Sequence, residues 1–140
     1  MFEIDYSSYI DRNMRKPIVI IEDDQDLINE IYPRGRNHEV LAYQDIQDIT
    51  TIVANNPFLI LLDDRLTEGY GSTFCLALKS DDRNIDIPVI LISAVPNLKT
   101  VAEHCGADGF IAKPFELEQL VEVVVRFLPL TRDETSPDAL

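Results

Sequence analysis

Pro57-Phe58-Leu59-Ile60-Leu61-Leu62-Asp63-Asp64-Arg65 is an apolar run of strand length that stops abruptly at a carboxylate. A central strand of a parallel sheet is covered on both faces, so it reads as continuous apolar residues, not alternating ones. In open α/β sheets ligands sit in the crevice beyond the carboxyl ends of the strands, which puts Asp63 where such a fold carries its chemistry. Pro17 to Ile21 runs in the same way into Glu22-Asp23-Asp24, and Pro88 to Ile92 runs into Ser93. A shorter run, Gly109 to Ala112, ends in Lys113-Pro114. These strand ends offer acids, a hydroxyl and a cation, and together they predict one pocket that handles an anion and a metal.

The composition suits that reading. A chain of 140 residues is of single-domain length. Its formal charge of −13 argues against direct contact with DNA or RNA, whose phosphates select basic surfaces. No apolar run approaches the roughly 18 residues needed to span a bilayer. The N-terminus, with Glu3 and Asp5, lacks the basic-then-apolar order of a secretory signal. Cys75 and Cys105 have no metal-binding or redox spacing, so they read as packing residues in a reducing cytoplasm.

Outward from Asp63, strands and helices alternate. Residues 1–16 form an N-terminal extension, either a short extra strand or arm or a floppy leader. Ile18 to Ile21 is the first strand, and Asp24 caps a helix starting near Gln25 with Leu27, Ile28 and Ile31 on its apolar face. Pro33 and Gly35 end that helix. His38 to Tyr43 reads as the second strand, and Ile46, Ile49, Ile52 and Val53 recur at helical spacing. After the third strand and the loop Thr67 to Gly71 comes a helix with Phe74, Leu76, Ala77 and Leu78. The fourth strand precedes a helix from Asn97 to Cys105, closed by Gly106. Phe110 to Ala112 is the fifth strand. The last helix runs from Glu116 to Leu128, with Leu117, Leu120, Val121, Val124 and Leu128 inward. Val123, Val125 and Phe127 widen that stripe, and they pack on the sheet edge or N-terminal arm, or else form a partner or homodimer surface. Residues 17–128 form the domain, and residues 129–140 a flexible tail.

Such alternation means an α/β fold with a parallel sheet, and right-handed crossovers leave few topologies. The expected arrangement is a flavodoxin-like, doubly wound five-stranded parallel sheet in the order 2-1-3-4-5 with five helices. Strands 1 and 3 are then neighbours, so Glu22, Asp23 and Asp63 converge. Like charges about 4 Å apart repel by about 4 kcal/mol at an effective dielectric near 20. A hard divalent cation relieves this, and Mg²⁺ favours one or two carboxylates with phosphate and water. Lys113 is a compact cation suited to a phosphoryl oxygen, and Ser93 offers a hydroxyl donor. Asp63, at the end of the central strand, is the best-placed nucleophile for a phosphoryl group.

IVIIEDDQDL, LILLDDRLTEGYG, PVILISA and GADGFIAKPFELEQL resemble the four signature stretches of the response-regulator receiver domain, over roughly residues 17–128. The resemblance implies that Glu22 and Asp23 are the acidic pair that holds Mg²⁺, with Asp63 and the backbone carbonyl of Arg65. It implies Asp63 as phosphoacceptor, Ser93 as switch hydroxyl, Lys113 as the family's lysine and Phe110 as switch aromatic. It places Arg65 and Val95 beside the route of the hydrolytic water, where they tune phosphoryl lifetime. The donor is a phosphohistidine on a sensor histidine kinase or histidine phosphotransfer protein, or a small phosphodonor. The expected output is the face of helix 4, strand 5 and helix 5. A stand-alone receiver of this kind is no enzyme beyond slow self-phosphorylation and autodephosphorylation. It works in the cytoplasm by protein contact or phosphoryl relay, with no direct nucleic-acid contact or membrane insertion. Two departures stand out: Thr67 replaces the usual proline, and Asp64 replaces a commonly apolar residue and adds charge beside the site.

Three rivals are weaker. An unphosphorylated docking module has no need of Glu22, Asp23, Asp63, Ser93 and Lys113 together. A phosphohydrolase of the haloacid-dehalogenase type needs an acid where Arg65 stands. A nucleotide-binding protein needs a glycine-rich phosphate loop that this sequence lacks.

Overall fold

Alternate residues of a strand face opposite sides of its sheet, and the apolar runs of this chain are buried on both. The computed structural model describes residues 16–31, 40–45, 48–66 and 69–127. Among them, five strands form one parallel sheet: β1 (Ile18–Ile21), β2 (Val40–Tyr43), β3 (Leu59–Asp63), β4 (Val89–Ser93) and β5 (Gly109–Ala112). Their order is β2-β1-β3-β4-β5, the flavodoxin-like order expected. Five helices alternate with them: α1 (Gln25–Ile31), α2 (Ile49–Val53), α3 (Gly71–Lys79), α4 (Leu98–Cys105) and α5 (Leu117–Phe127).

The two sheet faces make two cores. Val19, Ile21, Ile60, Leu62, Val89 and Leu91 pack with Ile52 of α2, Phe74 and Leu78 of α3, and Leu98 and Ala102 of α4. Ile18, Ile20, Leu59, Leu61, Ile90 and Ile92 pack with Ile28 of α1 and Leu120 of α5. Burying each such side chain contributes about 1.5–3 kcal/mol, so β1, β3 and β4 anchor the domain.

Local signals set the element ends. The Asp24 carboxylate accepts the N–H groups of Asp26 (2.9 Å) and Leu27 (3.3 Å), capping α1 as expected. Gly106, at φ 81°, closes α4 in the left-handed conformation that favours glycine. Lys79, at the end of α3, donates to the carbonyls of Ile85 (2.8 Å) and Ile87 (2.6 Å) and pairs with Asp108 (2.8 Å). Asp108 also accepts the Val89 N–H at 2.8 Å, so one largely buried lysine side chain ties α3 to the segments before β4 and β5. Cys75 and Cys105 are free, buried and placed as packing residues, and burial pushes the Cys75 thiol well up.

Several expectations need revision. The inward face of α3 is Phe74, Cys75 and Leu78, while Ala77 faces solvent and Leu76 is 51 % exposed. On α5, Val123 and Phe127 join Leu117, Leu120 and Val124 against the core, Val121 stays half-buried outside it, and Val125 is exposed. A short antiparallel pair, Arg65–Leu66 with Gly69–Tyr70, follows β3 where a plain loop was expected. β2 is described from Val40 onward. Residues 1–15 of the N-terminal extension, His38, the turn at Pro33 and Gly35, Ile46, Thr67, Leu128 and residues 129–140 lie outside the described residues. Among the described residues no helix is long and apolar enough to cross a membrane.

Gly71 starts α3 hard against the end of β3. A Cβ there would strike the main-chain oxygen of Asp63 and come within 2.9 Å of Leu62 Cγ. Gly71→Ala is therefore expected to cost about 1–3 kcal/mol in a denaturant melt, the usual penalty of overpacking. A midpoint equal to wild type would show that α3 does not press on the strand end.

Candidate functional site

Parallel register brings the strand ends to one edge. Ile21 lies opposite Leu62, Asp63 opposite Ile92, and Ser93 opposite Ala112. The residues at or just after those positions are Glu22, Asp23, Asp63, Ser93 and Lys113. The Lys113 N–H donates to the Ser93 carbonyl at 2.8 Å and extends the ladder by one step.

Lys113 Nζ lies 3.2 Å from Glu22 Oε1, 3.4 Å from Glu22 Oε2 and 3.4 Å from Asp63 Oδ2. Both acids are buried, Glu22 at 1 % and Asp63 at 5 % exposure. Glu22 Oε2 also accepts the Asp24 N–H at 3.1 Å, and Asp63 Oδ1 accepts the Arg65 N–H at 3.2 Å. Asp23 faces solvent, yet Glu22, Asp23 and Asp63 each bring a carboxylate oxygen within 4.8 Å of the others.

Burial pushes the Glu22 carboxyl up to about 7, and the charge of Asp63 adds to this; Lys113 and the Asp24 N–H only partly oppose them. Burial by itself would lower Lys113, but Glu22 and then Asp63 outweigh it, and the ammonium is held above its ordinary range. The pocket thus has more buried negative charge than its lysine neutralises. A set of hard oxygen donors this close fits a divalent cation such as Mg²⁺.

Beside the acids lies a cavity of about 250 Å³, lined by Asp63, Arg65, Ser93, Ala94, Val95, Pro96 and Lys113. Ser93 is buried, and its hydroxyl oxygen accepts the Val95 N–H at 3.2 Å. Glu22, Asp23, Asp63, Arg65, Ser93, Val95 and Lys113 are therefore all at the acid cluster or the cavity, and Phe110 is not. Phe110, on β5, is 41 % exposed and is not among the lining residues.

Asp64 departs from expectation. It is buried and absent from the cavity wall, and its Oδ1 accepts the Ser72 N–H at 2.8 Å, so it faces α3. The one clue in the sequence is negative: Tyr70, at the start of α3, has no side chain able to cap it.

A family model described as the response regulator receiver domain matches residues 18–125. The chain is 31 % identical over 123 residues to the DNA-binding dual master transcriptional regulator RpaA of a Synechocystis species, covering 82 % of this chain and 50 % of that protein. It is 28 % identical over 122 residues to sporulation initiation phosphotransferase F of Bacillus subtilis, covering 84 % of this chain and 97 % of that one. It spans about half the length of several curated relatives it matches, RpaA included. The structure superposes on the chemotaxis response regulator CheY4 of Vibrio cholerae with a TM-score of 0.71 at 18 % identity, covering 82 % of this chain and 100 % of that one, a likeness of fold.

The Glu22 carboxyl titrates at 4.5 ordinarily and near 7 in the folded chain. Between those values the folded state binds the extra proton, so this stabilisation is complete below pH 4.5 and is lost as pH rises through 7. Metal-free wild type is expected to lose on the order of a few kcal/mol across that window in urea melts, and Glu22→Gln to flatten the slope. A slope unchanged in Glu22→Gln would mean that Glu22 is not the group that titrates.

Proposed function

The chain belongs to the response-regulator receiver family, and we propose that it is a phosphorylation-driven switch of a two-component phosphorelay with Asp63 as the acceptor. The reading is supported above all by Lys113 Nζ lying within 3.4 Å of both the buried Asp63 and the buried Glu22. A structural ion pair needs one acid; two acids on one lysine, with a third beside them and a cavity adjoining, suit an incoming phosphoryl group.

An Asp63 oxygen attacks the phosphorus of a phosphohistidine on a sensor histidine kinase or a histidine phosphotransfer protein. A P–O bond forms, the P–N bond breaks, and the electron pair stays on the imidazole, which takes a proton from solvent. Glu22, Asp23, Asp63 and the Arg65 carbonyl would hold Mg²⁺, which when bound supplies neutralising charge for the phosphoryl oxygens. Lys113 re-aims from the carboxylates to a phosphoryl oxygen. Most of the acceleration asked of the protein is positioning and charge stabilisation. The chain is a phosphoacceptor, with slow self-phosphorylation and autodephosphorylation as its own chemistry.

The switch follows from Ser93. Its hydroxyl leaves the Val95 N–H and donates to the new phosphoryl group, and exposed Phe110 turns into the space vacated. That reshapes the face of α4, β5 and α5, biasing two pre-existing states. The face meets a downstream protein or a second copy of the chain. Two buried unpaired thiols accord with a cytoplasmic setting. Arg65 and Val95 line the cavity beside Asp63, where they would govern access of water.

Mass spectrometry after exposure to acetyl phosphate and Mg²⁺ tests the acceptor. One phosphoryl group is expected on Asp63, and none on Asp63→Asn; a label that persists in Asp63→Asn defeats the reading. In the same assay Arg65→Ala is expected to lose its phosphoryl group several-fold faster than wild type. An equal decay would remove Arg65 from the control of lifetime.

A further inference from the structure

Asp64 is a buried carboxylate next to the acceptor that the proposed chemistry leaves unused; it is 4 % exposed. Helix α3 begins after Tyr70, whose backbone is extended and whose side chain makes no capping bond. The Tyr70 ring is instead 60 % exposed. The first two N–H groups of α3 go to Asp64: Gly71 donates to its carbonyl at 2.8 Å and Ser72 to its Oδ1 at 2.8 Å. Asp64 thus does the work of an N-cap from six residues upstream, and a carboxylate at that end is favoured by the helix dipole.

The same residue is fixed on its other sides. Its own N–H donates to the Ile92 carbonyl at 3.3 Å, and the next N–H, of Arg65, donates to Asp63 Oδ1 at 3.2 Å. The peptide unit that orients the acceptor carboxylate is therefore pinned between β4 and α3.

Resting on the reading of Asp63 as acceptor, we infer that Asp64 is a positioning residue for phosphoryl transfer. Its side chain clamps the acceptor loop to α3 and holds the Arg65 N–H against one Asp63 oxygen, leaving the other for Lys113 and the incoming phosphorus. A helix cap alone would serve stability only; this one also sets the aim of the nucleophile.

The test measures Asp63 phosphorylation rate, with acetyl phosphate and Mg²⁺, alongside Tm on the full chain. Asp64→Asn keeps the acceptor oxygen and is expected within about twofold of wild type in rate. Asp64→Ala is expected to slow phosphorylation about tenfold and to lower Tm by roughly 4 °C. In Asp64→Ala/Tyr70→Asp a carboxylate at the N-cap itself can take the Ser72 N–H, so Tm is expected to return while the rate stays low. A rate that recovers with Tm, or that never falls in Asp64→Ala, overturns the inference and leaves Asp64 as a cap. If Asp64→Ala does not fold, the double variant carries the comparison. Failure of the acceptor reading shows separately, as wild type that takes no phosphoryl group, and the inference goes with it.

Discussion

One ammonium shared by two buried carboxylates governs this molecule. Lys113 lies within 3.4 Å of both Glu22 and Asp63, and neither acid has much access to water. One cation against two desolvated acids is an unbalanced arrangement, and Glu22 shows it by holding its proton up to about pH 7. The imbalance accords with the function proposed, because a pocket short of positive charge favours a divalent cation.

Sheet geometry enforces that arrangement. Glu22, Asp63 and Lys113 are far apart along the chain, but parallel register puts the ends of β1, β3 and β5 on one edge. The edge is rigid because the strands behind it are buried on both faces, so the acids have little room to relax apart. Helix α3 adds a second restraint, with Gly71 packed on the Asp63 main chain and Ser72 held by Asp64. Core and site thus share one rigid frame, which the proposed switch from Ser93 to Phe110 would require.

Much of this was legible in the residues. Continuous apolar runs that stop at polar groups identify buried parallel strands, and each run ended where a usable side chain began. That is why Glu22, Asp23, Asp63, Ser93 and Lys113 are legible from the sequence as neighbours at one sheet edge. The harder features depend on contacts that leave no periodic trace. Asp64 reads as one more acid, because its partner Ser72 lies eight residues on, and only the missing cap at Tyr70 hints at the pair. Lys79 holds two carbonyls and Asp108, contacts that no periodic pattern marks. On α5, valines at 121, 123, 124 and 125 blur the helical period, so Val123 and Phe127 look surplus, although they pack against the core. On α3, Leu76 and Ala77 are apolar yet outward, since the closeness of Gly71 to β3 sets the rotation of the helix.

Mg²⁺ affinity by calorimetry, in wild type and in Lys113→Met at one pH and ionic strength, goes most directly to the shared pocket. If ammonium and metal answer to the same carboxylates, removing the ammonium strengthens Mg²⁺ binding by at least about threefold. An affinity that stays level or weakens would mean that Lys113 and the metal occupy separate fields, and that the charge shortage at Asp63 is not what draws the cation in.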